Sequence, residues 1–347
     1  MNKRSLLSFS LILAVAAALT FFKVPLASSQ GITLVAAEAA GDLPVDDPES
    51  AVWQNSTAVE VPLSAQNLTR PMLLNTKVKS VTARALHNGS QIVILVEWAD
   101  DTMNDQMVRV QDFRDAVAVQ FPLAEGQPFF CMGQQGGNVN IWHWKADWQA
   151  DIAARQDMEA LYPNMYVDQY PFADAAAGLA AGPGTYLDPN YLPALAAGNL
   201  FASAAFASPV EDLIAGGFGS LTAQPADGQN VKGYGVWGGG KWRVIFNRNL
   251  ASAEAGDVIF APGKVYVMAF AAWDGANGER NGQKSTSQWV SLQLEGAAAV
   301  PEAQPAARPY DWTGIVFVFG PMVLVAFLIL GFAGSVALLS AWWTKKE

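Results

Sequence analysis

Hydrophobic and polar residues alternate with a period of two along much of the chain, which is the spacing of half-buried β-strands. The segment VKSVTARALHNGSQIVILVEWAD (78–100) places two such runs around Asn88-Gly89, a dipeptide that favours a tight hairpin. The run DAVAVQFPL (115–123) alternates again, and three similar runs follow after residue 240: KWRVIFNRNL (241–250), GKVYVMAFAAWDG (263–275) and QWVSLQLE (288–295). Many short strands separated by turn residues predict a β-sandwich or a β-barrel.

Two stretches interrupt this strand pattern. Residues from about 150 to 235 are rich in Ala, Gly and Pro, and a structureless stretch of that length is improbable as a simple loop. We interpret it as an insertion that packs over one mouth of the β-domain. Residues 30–52 are small and acidic, which predicts a tether, and residues 297–312 are a flexible stalk. The β-domain is therefore assigned to residues 53–296.

Both ends of the chain carry signals for export and membrane attachment. Residues 1–29 combine a basic start, an apolar stretch and small residues before a cleavage point, which predicts a signal peptide or an uncleaved anchor. Residues 313–343 are uncharged and longer than the roughly 20 residues that a bilayer needs, so they predict one transmembrane helix. The basic tail, 344–347, favours a cytoplasmic C-terminus. We expect a single-pass protein of the cell membrane whose body faces the periplasmic or extracellular side.

The composition of the chain argues against several classes of function. A net charge of −10 argues against a nucleic-acid partner, because phosphates need a basic surface. The single cysteine, Cys131, excludes an internal disulfide, a Cys-x-x-Cys metal site, an iron–sulfur cluster and a c-type haem attachment. With only His87 and His143, a three-histidine metal site is impossible. Sequence motifs of hydrolases and of dinucleotide-binding folds are also absent.

A cluster of carboxylates is the first candidate binding group. Asp147, Asp151, Asp157 and Glu159 are close enough in sequence to hold calcium. Their spacing lacks the glycine and the terminal glutamate of an EF-hand loop. We therefore interpret them as a solvated face.

The segment PFFCMGQQGGNVNIWHWKADWQ (128–149) is the second candidate. It combines soft sulfur, a glycine-rich loop and three tryptophans. These residues suit a pocket for a large flat cofactor, an aromatic core or a surface that stacks on sugars. Trp142 and Trp144 are expected to point to opposite faces of a strand, so at least one of them enters the core, which weakens the sugar-binding alternative.

Three blocks of sequence, in this order, resemble one known family. They are LVEWADDTMND (95–105), the stretch from DAVAVQFPL to IWHWKADW (115–148) and AAWDGANGERNGQKSTSQWVSLQLE (271–295). Together they are similar to the haem-binding gamma subunits of ethylbenzene-dehydrogenase-type enzymes, within the type II dimethyl-sulfoxide-reductase family. The resemblance covers residues 53–296, interrupted by the insertion.

The resemblance implies an antiparallel β-sandwich that binds one haem b without covalent attachment. It implies a methionine and a lysine as the axial ligands of the iron, which here are Met132 and Lys284. A thioether ligand raises the reduction potential, and a lysine has to lose its proton before it can bind a metal. Gly133, Trp142 and Trp144 are expected to contact the cofactor.

Three other residues are rival ligands, because histidine and thiolate also bind haem iron. We expect His143 to flank the pocket from a strand. His87 is expected beside the Asn-Gly turn, and Cys131 is expected to point away from the iron.

These features predict an electron-transfer subunit without catalytic residues of its own. It would relay single electrons between the molybdopterin and iron–sulfur subunits of an oxidoreductase and carriers such as cytochrome c or the quinone pool. The alternative is a cofactor-free exported module that binds carbohydrate or protein through its tryptophans.

Overall fold

The computed structural model describes residues 31–124, 132–155, 158–164, 199 and 206–296. These residues form a mainly β structure with two short α-helices, α1 (Ala146–Ala153) and α2 (Met158–Leu161). They also contain three 3-10 turns, Ala51–Asn55, Ala226–Gly228 and Gly275–Asn277. The strands are, in chain order, β1 (Thr33–Glu38), β2 (Val59–Pro62), β3 (Ser64–Ala65), β4 (Ser80–His87), β5 (Gln91–Ala99), β6 (Ala116–Pro122), β7 (Val139–Lys145), β8 (Val210–Ala215), β9 (Thr222–Ala223), β10 (Lys232–Trp237), β11 (Lys241–Asn249), β12 (Val265–Trp273), β13 (Ser285–Thr286) and β14 (Val290–Leu294).

The strands belong to one large mixed sheet. Its main path runs β10-β11-β5-β4-β1-β14-β12-β6-β7-β8-β9. Strand β12 changes partner along its length, since residues 265–268 pair with β14 and residues 269–273 pair with β6. Strand β1 lies parallel to both of its neighbours, β4 and β14. The prediction of a wholly antiparallel arrangement is therefore wrong at β1.

One hydrophobic core joins the two halves of this sheet. Ile94 and Phe246 from the β5-β11 half share a packed cluster with Val119, Trp142 and Trp144 from the β6-β7 half. All five side chains are fully buried. The prediction that Trp142 and Trp144 point to opposite faces is wrong, because residues two positions apart in a strand share a face, and here both point to this inner core. Burying a large apolar side chain contributes about 1.5–3 kcal/mol, so the tryptophans are part of what holds the halves together.

The outer face of the β12-β6-β7-β8 half carries a second apolar cluster. Its buried members include Ala118, Ile141, Leu213 and Ala271, and Met132 packs against it. Its alanines, such as Ala118 and Ala271, have small side chains. Loops cover it in place of another sheet, and this is where the candidate site lies.

The hairpin predicted at Asn88-Gly89 is confirmed. Strands β4 and β5 pair antiparallel on either side of it. The side-chain Oδ1 of Asn88 accepts hydrogen bonds from the backbone N–H groups of Ser90 and Gln91 at 3.1 and 2.9 Å. Gly89 has φ of +83°, the left-handed backbone that glycine adopts without strain.

The N-terminal boundary of the β-domain needs correction. Residues 33–38, predicted to belong to a tether, form β1 in the middle of the sheet. Leu34 and Ala36 of this strand are fully buried. The two partners of β1 are about 50 and 250 residues away in sequence, so no local turn signal marks the strand.

The insertion predicted over residues 150–235 is also too long. Its C-terminal part, residues 206–235, contains β8 and β9 and begins β10. Strand β8 pairs along β7 and buries Leu213 and Ala215, so these residues belong to the sheet. Residues 165–198 lie outside the described part of the chain.

The predicted signal peptide, stalk, transmembrane segment and tail all lie outside the described ranges, over residues 1–30 and 297–347. Within the part of the chain that is described, no helix is both long and apolar enough to cross a bilayer.

Candidate cofactor site

A cavity of about 500 Å³ opens over the outer face of the β12-β6-β7-β8 half. This volume lies within the usual range of small-molecule sites, roughly 300–1,000 Å³. Loops 66–71, 218–221 and 281–284 form its walls. Its floor is mostly small or apolar and includes Ala118, Gln120, Ile141, His143, Leu213 and Ala271.

The two predicted iron ligands meet inside this cavity. The Nζ atom of Lys284 donates a hydrogen bond to the Sδ atom of Met132 at 3.3 Å, although the two residues are 152 positions apart in sequence. Both side chains are half-buried and both line the cavity. The fold therefore brings together one soft sulfur and one amine nitrogen from separate loops.

The loop that carries Met132 is fixed by backbone contacts. The Met132 carbonyl accepts a hydrogen bond from the Gly217 N–H at 2.8 Å. Gly133 follows with φ of +72°, and a Cβ atom there would lie 2.7 Å from the Ala215 carbonyl oxygen and 2.8 Å from that of Gly137. The predicted role of Gly133 was contact with the cofactor. In this structure its missing side chain lets the Met132 loop approach the end of β8.

Gly133→Ala is expected to displace the Met132 loop and destabilise the protein by about 1–3 kcal/mol, because it adds a steric clash to a strained backbone. Gly136→Ala is the matched control, since Gly136 has φ of +78° and a Cβ atom added there would have no other atom within 4 Å. Chemical denaturation measures both variants. Equal losses of stability would mean that the close approach to Ala215 and Gly137 contributes nothing.

The loop that carries Lys284 is held by a buried glutamine. The Lys284 carbonyl accepts a hydrogen bond from the Gln66 N–H at 2.9 Å. The Gln66 side chain is buried, and its Nε2 donates to the carbonyls of Gly282 at 2.8 Å and Thr69 at 3.0 Å. The indole Nε1 of Trp273 donates to the Asn281 carbonyl at 3.1 Å. Two walls of the cavity are thus tied to each other and to the floor.

His143, in β7, lies on the floor of the cavity. Its ring stacks on Trp273 at 4.7 Å between centroids, and the Lys284 Nζ lies 5.1 Å from the Trp273 ring. Its Nε2 is buried and makes no hydrogen bond with the described residues. Burial, and then the nearby charges of Lys145, Arg114 and Lys284, hold the pKa of His143 well below 6.5. The imidazole is therefore neutral at neutral pH.

The other predicted contact residues are elsewhere. Trp142 and Trp144 face the inner core and do not line the cavity. His87 is fully buried in β4, where its Nδ1 accepts a hydrogen bond from the Gly89 N–H at 3.2 Å. Cys131 lies outside the described residues.

The residues at the cavity fit a haem. The floor and walls are largely apolar, as a porphyrin requires, and the paired sulfur and amine are groups that can bind iron. Their 3.3 Å contact leaves no space for an atom between them, so iron binding requires the two heads to separate. The buried Nε2 atoms of Gln120 and His143 have no partner among the described residues, which suits a site that receives a further group.

Gln66, Gln120 and Trp273 also line the cavity, and no sequence motif predicts this. Each comes from a different strand or loop, and only the folded sheet brings them to one cavity. The hairpin and strand patterns carry no signal for such a convergence.

A second group of carboxylates lies at the ends of β5, β6 and β12. Asp100, Asp115 and Asp274 each place one oxygen within 4.8 Å of the others. Burial and then the charge of Asp100 raise the pKa of Asp115 from 3.8 to about 7. These are not the aspartates that the sequence suggested as a calcium site. Of those, Asp147 forms an ion pair with Arg114 at 2.6 Å.

This group predicts a pH-dependent stability. Because the folded-state pKa of Asp115 is raised, the folded protein binds more protons than the unfolded chain between about pH 4 and pH 7. Asp115 therefore makes the free energy of unfolding fall as the pH rises through this window. Asp100→Asn removes a like charge next to Asp115. We expect the substitution to change the free energy of unfolding in the stabilising direction by about 1–2 kcal/mol more at pH 7.5, where Asp115 is charged, than at pH 5. Denaturation at both pH values checks this, and an equal effect at both would contradict it.

Comparison with known proteins gives the family. The family described as ethylbenzene dehydrogenase matches residues 50–285, well over half of the chain. A Haloferax mediterranei protein named as a respiratory nitrate reductase heme subunit is 24% identical over 310 residues, covering 86% of this chain and 87% of that protein. The chlorate reductase gamma subunit of Ideonella dechloratans is 25% identical over 272 residues, covering 77% of this chain and 86% of that protein.

A solved structure shows only a distant likeness. A family 9 carbohydrate-binding module from Caldicellulosiruptor kristjanssonii, in complex with cellotriose, matches at 8% identity and a TM-score of 0.36. The match covers 79% of this chain and all of that one.

The sequence match to residues 50–285 confirms the resemblance of the three sequence blocks. It shows that this chain belongs to the ethylbenzene dehydrogenase family.

Proposed function

We propose that this chain binds one haem b non-covalently and relays single electrons within an oxidoreductase complex. The observation that supports this most directly is the meeting of Met132 and Lys284 at 3.3 Å inside an apolar cavity. One relative carries the name of a respiratory nitrate reductase heme subunit, and another that of a chlorate reductase gamma subunit.

Each of the two residues has a distinct role toward the iron. The Met132 thioether supplies a neutral, soft ligand, which favours the reduced metal. Lys284 supplies an amine that binds only in its deprotonated form, and partial burial next to an apolar floor assists the loss of that proton. With Met132 and Lys284 both holding it, a haem would supply reversible one-electron transfer and would leave no open position for a substrate. The chain then needs no catalytic residue of its own.

The proposed partner subunits are those that would hold the molybdopterin and the iron–sulfur clusters. A single cysteine cannot hold an iron–sulfur cluster. We therefore place the molybdopterin and the iron–sulfur clusters in partner subunits. Cytochrome c or the quinone pool is the proposed carrier on the other side of the haem.

The proposed location is the cell membrane, with the body on the periplasmic or extracellular side. The apolar stretch at 313–343 and the basic tail after it support this orientation. Protease added to spheroplasts should digest the body, and full protection of the body would contradict the proposal.

The rival function, a sugar-binding surface made by tryptophans, has little to support it here. Trp142 and Trp144 are fully buried in the inner core. Neither could stack on a sugar unless the two halves of the sheet separated.

An absorption spectrum of the detergent-extracted, full-length protein tests the proposal. We expect a haem spectrum that changes on reduction, about one haem per chain, and complete extraction of the haem by acidified acetone because it is not covalently attached. Protein that contains no haem and does not take up added haemin would contradict the proposal.

A further inference from the structure

The cavity floor contains two buried polar atoms that its other residues do not explain. Gln120, in β6, is 7% exposed, and its Nε2 is buried with no hydrogen-bond partner among the described residues. The Nε2 of His143, in the neighbouring strand β7, is likewise buried and has no hydrogen-bond partner among the described residues. Both side chains line the cavity. A buried polar group without a partner costs about 1–3 kcal/mol, so a site that keeps two of them is expected to satisfy them when it is filled.

The chemistry of this pair favours a hydrogen-bond acceptor. The Nε2 of Gln120 is an amide nitrogen, which only donates, and the neutral ring of His143 can carry its one N–H on Nε2. Two cations near the ring are already paired, Lys145 with Glu211 and Arg114 with Asp147, so neither supplies a missing partner. The floor around Gln120 is otherwise apolar, with Ala118 and Ile141 on either side.

Haem b has few groups that could satisfy such a pair. Apart from its iron, its polar groups are the two propionate carboxylates. A carboxylate only accepts hydrogen bonds, and the Gln120 amide and a neutral imidazole can both donate.

We propose that Gln120 and His143 bind a propionate carboxylate of the tetrapyrrole at the floor of the cavity. The inference rests on the proposed function and adds a second recognition element to it. Met132 and Lys284 would hold the metal, while this pair would select for an acidic tetrapyrrole and fix its rotation within the cavity. The competing arrangement places the carboxylates at the mouth, where the exposed Arg70 lines the entrance.

The test compares haemin with haemin dimethyl ester, in which the carboxylates are masked. Both are titrated into the full-length chain after its haem has been removed, and the affinity and the Soret band are recorded. In the wild-type protein, esterification is expected to weaken binding by about 10- to 100-fold, as for the loss of a hydrogen-bonded charge. We call the affinity for haemin divided by the affinity for its dimethyl ester the ester ratio. In the Gln120→Leu/His143→Phe variant this ratio should fall below about threefold.

Two further variants serve as controls, one for correct folding and one for the alternative position of the carboxylates at the mouth of the cavity. His143→Gln keeps a donor, so it should retain most of the wild-type ratio if the protein is intact. Arg70→Gln should leave the ratio unchanged. A ratio lost in Arg70→Gln and kept in the double variant would overturn the inference, and so would a wild-type protein that binds both forms equally. Failure of the wild-type protein to bind either form would overturn the proposed function itself, and the inference with it.

Discussion

Replacing Met132 by leucine is expected to lower the reduction potential of the bound haem by on the order of 0.1 V, a fraction of the ~0.8 V range that axial ligands span. Leucine matches methionine in volume, so the packing against the outer apolar cluster is kept while the sulfur is lost. If Met132 binds the iron as proposed, the reduced iron loses with the thioether the ligand that favours it. A redox titration followed by absorption measures the potential.

Met268→Leu is the matched control for this variant. Met268 is fully buried in the inner core and does not line the cavity. Its replacement should leave the potential within about 0.02 V of the wild type, since the axial ligands and not the distant core set the potential. Equal potentials in the Met132→Leu variant and the wild type would show that Met132 does not bind the iron.

Replacing Lys145 by methionine is expected to give the largest loss of stability, about 3–5 kcal/mol. Lys145 is 1% exposed and forms an ion pair with Glu211, which is also buried. Its Nζ lies 3.8 Å from the centroid of the Trp148 ring. Removing the ammonium leaves a carboxylate in a site with little water, and burial is already costly enough to lower the pKa of Lys145 to about 8.

Two variants separate this explanation from a simple loss of packing. Lys145→Met/Glu211→Leu removes both charges and should recover much of the loss. Lys241→Met breaks the pair with Glu97 at 3.1 Å, where the lysine side chain is 41% exposed, and should cost only about 0–1 kcal/mol. Denaturant titration of the full-length chain gives all three values. A double variant as unstable as Lys145→Met would contradict the role assigned to the ion pair.

The strands were predictable where a local signal existed. Asn88-Gly89 marks its hairpin because an αL glycine and an asparagine side chain close the turn within four residues. Strand β1 carries no such signal. Its sequence TLVAAE is short and alanine-rich, and parallel pairing with distant strands places it in the sheet.

The candidate site was predictable only in part. Met132 and Lys284 were identified from the resemblance to a family, and no spacing rule joins residues 152 positions apart. The prediction that Trp142 and Trp144 lie on opposite faces fails because residues two positions apart in a strand share a face, and the sequence does not show that this face is the inner core. Gln66 and Gln120 looked like ordinary polar residues, and their roles depend on loops and strands that meet only in the folded protein.

The central claim is that Met132 and Lys284 bind the iron and that His143 does not. The low-temperature electron paramagnetic resonance spectrum of the ferric protein tests it most directly, because the g-values of low-spin haem depend on the axial ligands. We predict that His143→Ala keeps the wild-type low-spin signal, whereas Met132→Leu and Lys284→Ala each replace it. A signal that survives in Lys284→Ala and disappears in His143→Ala would contradict the claim.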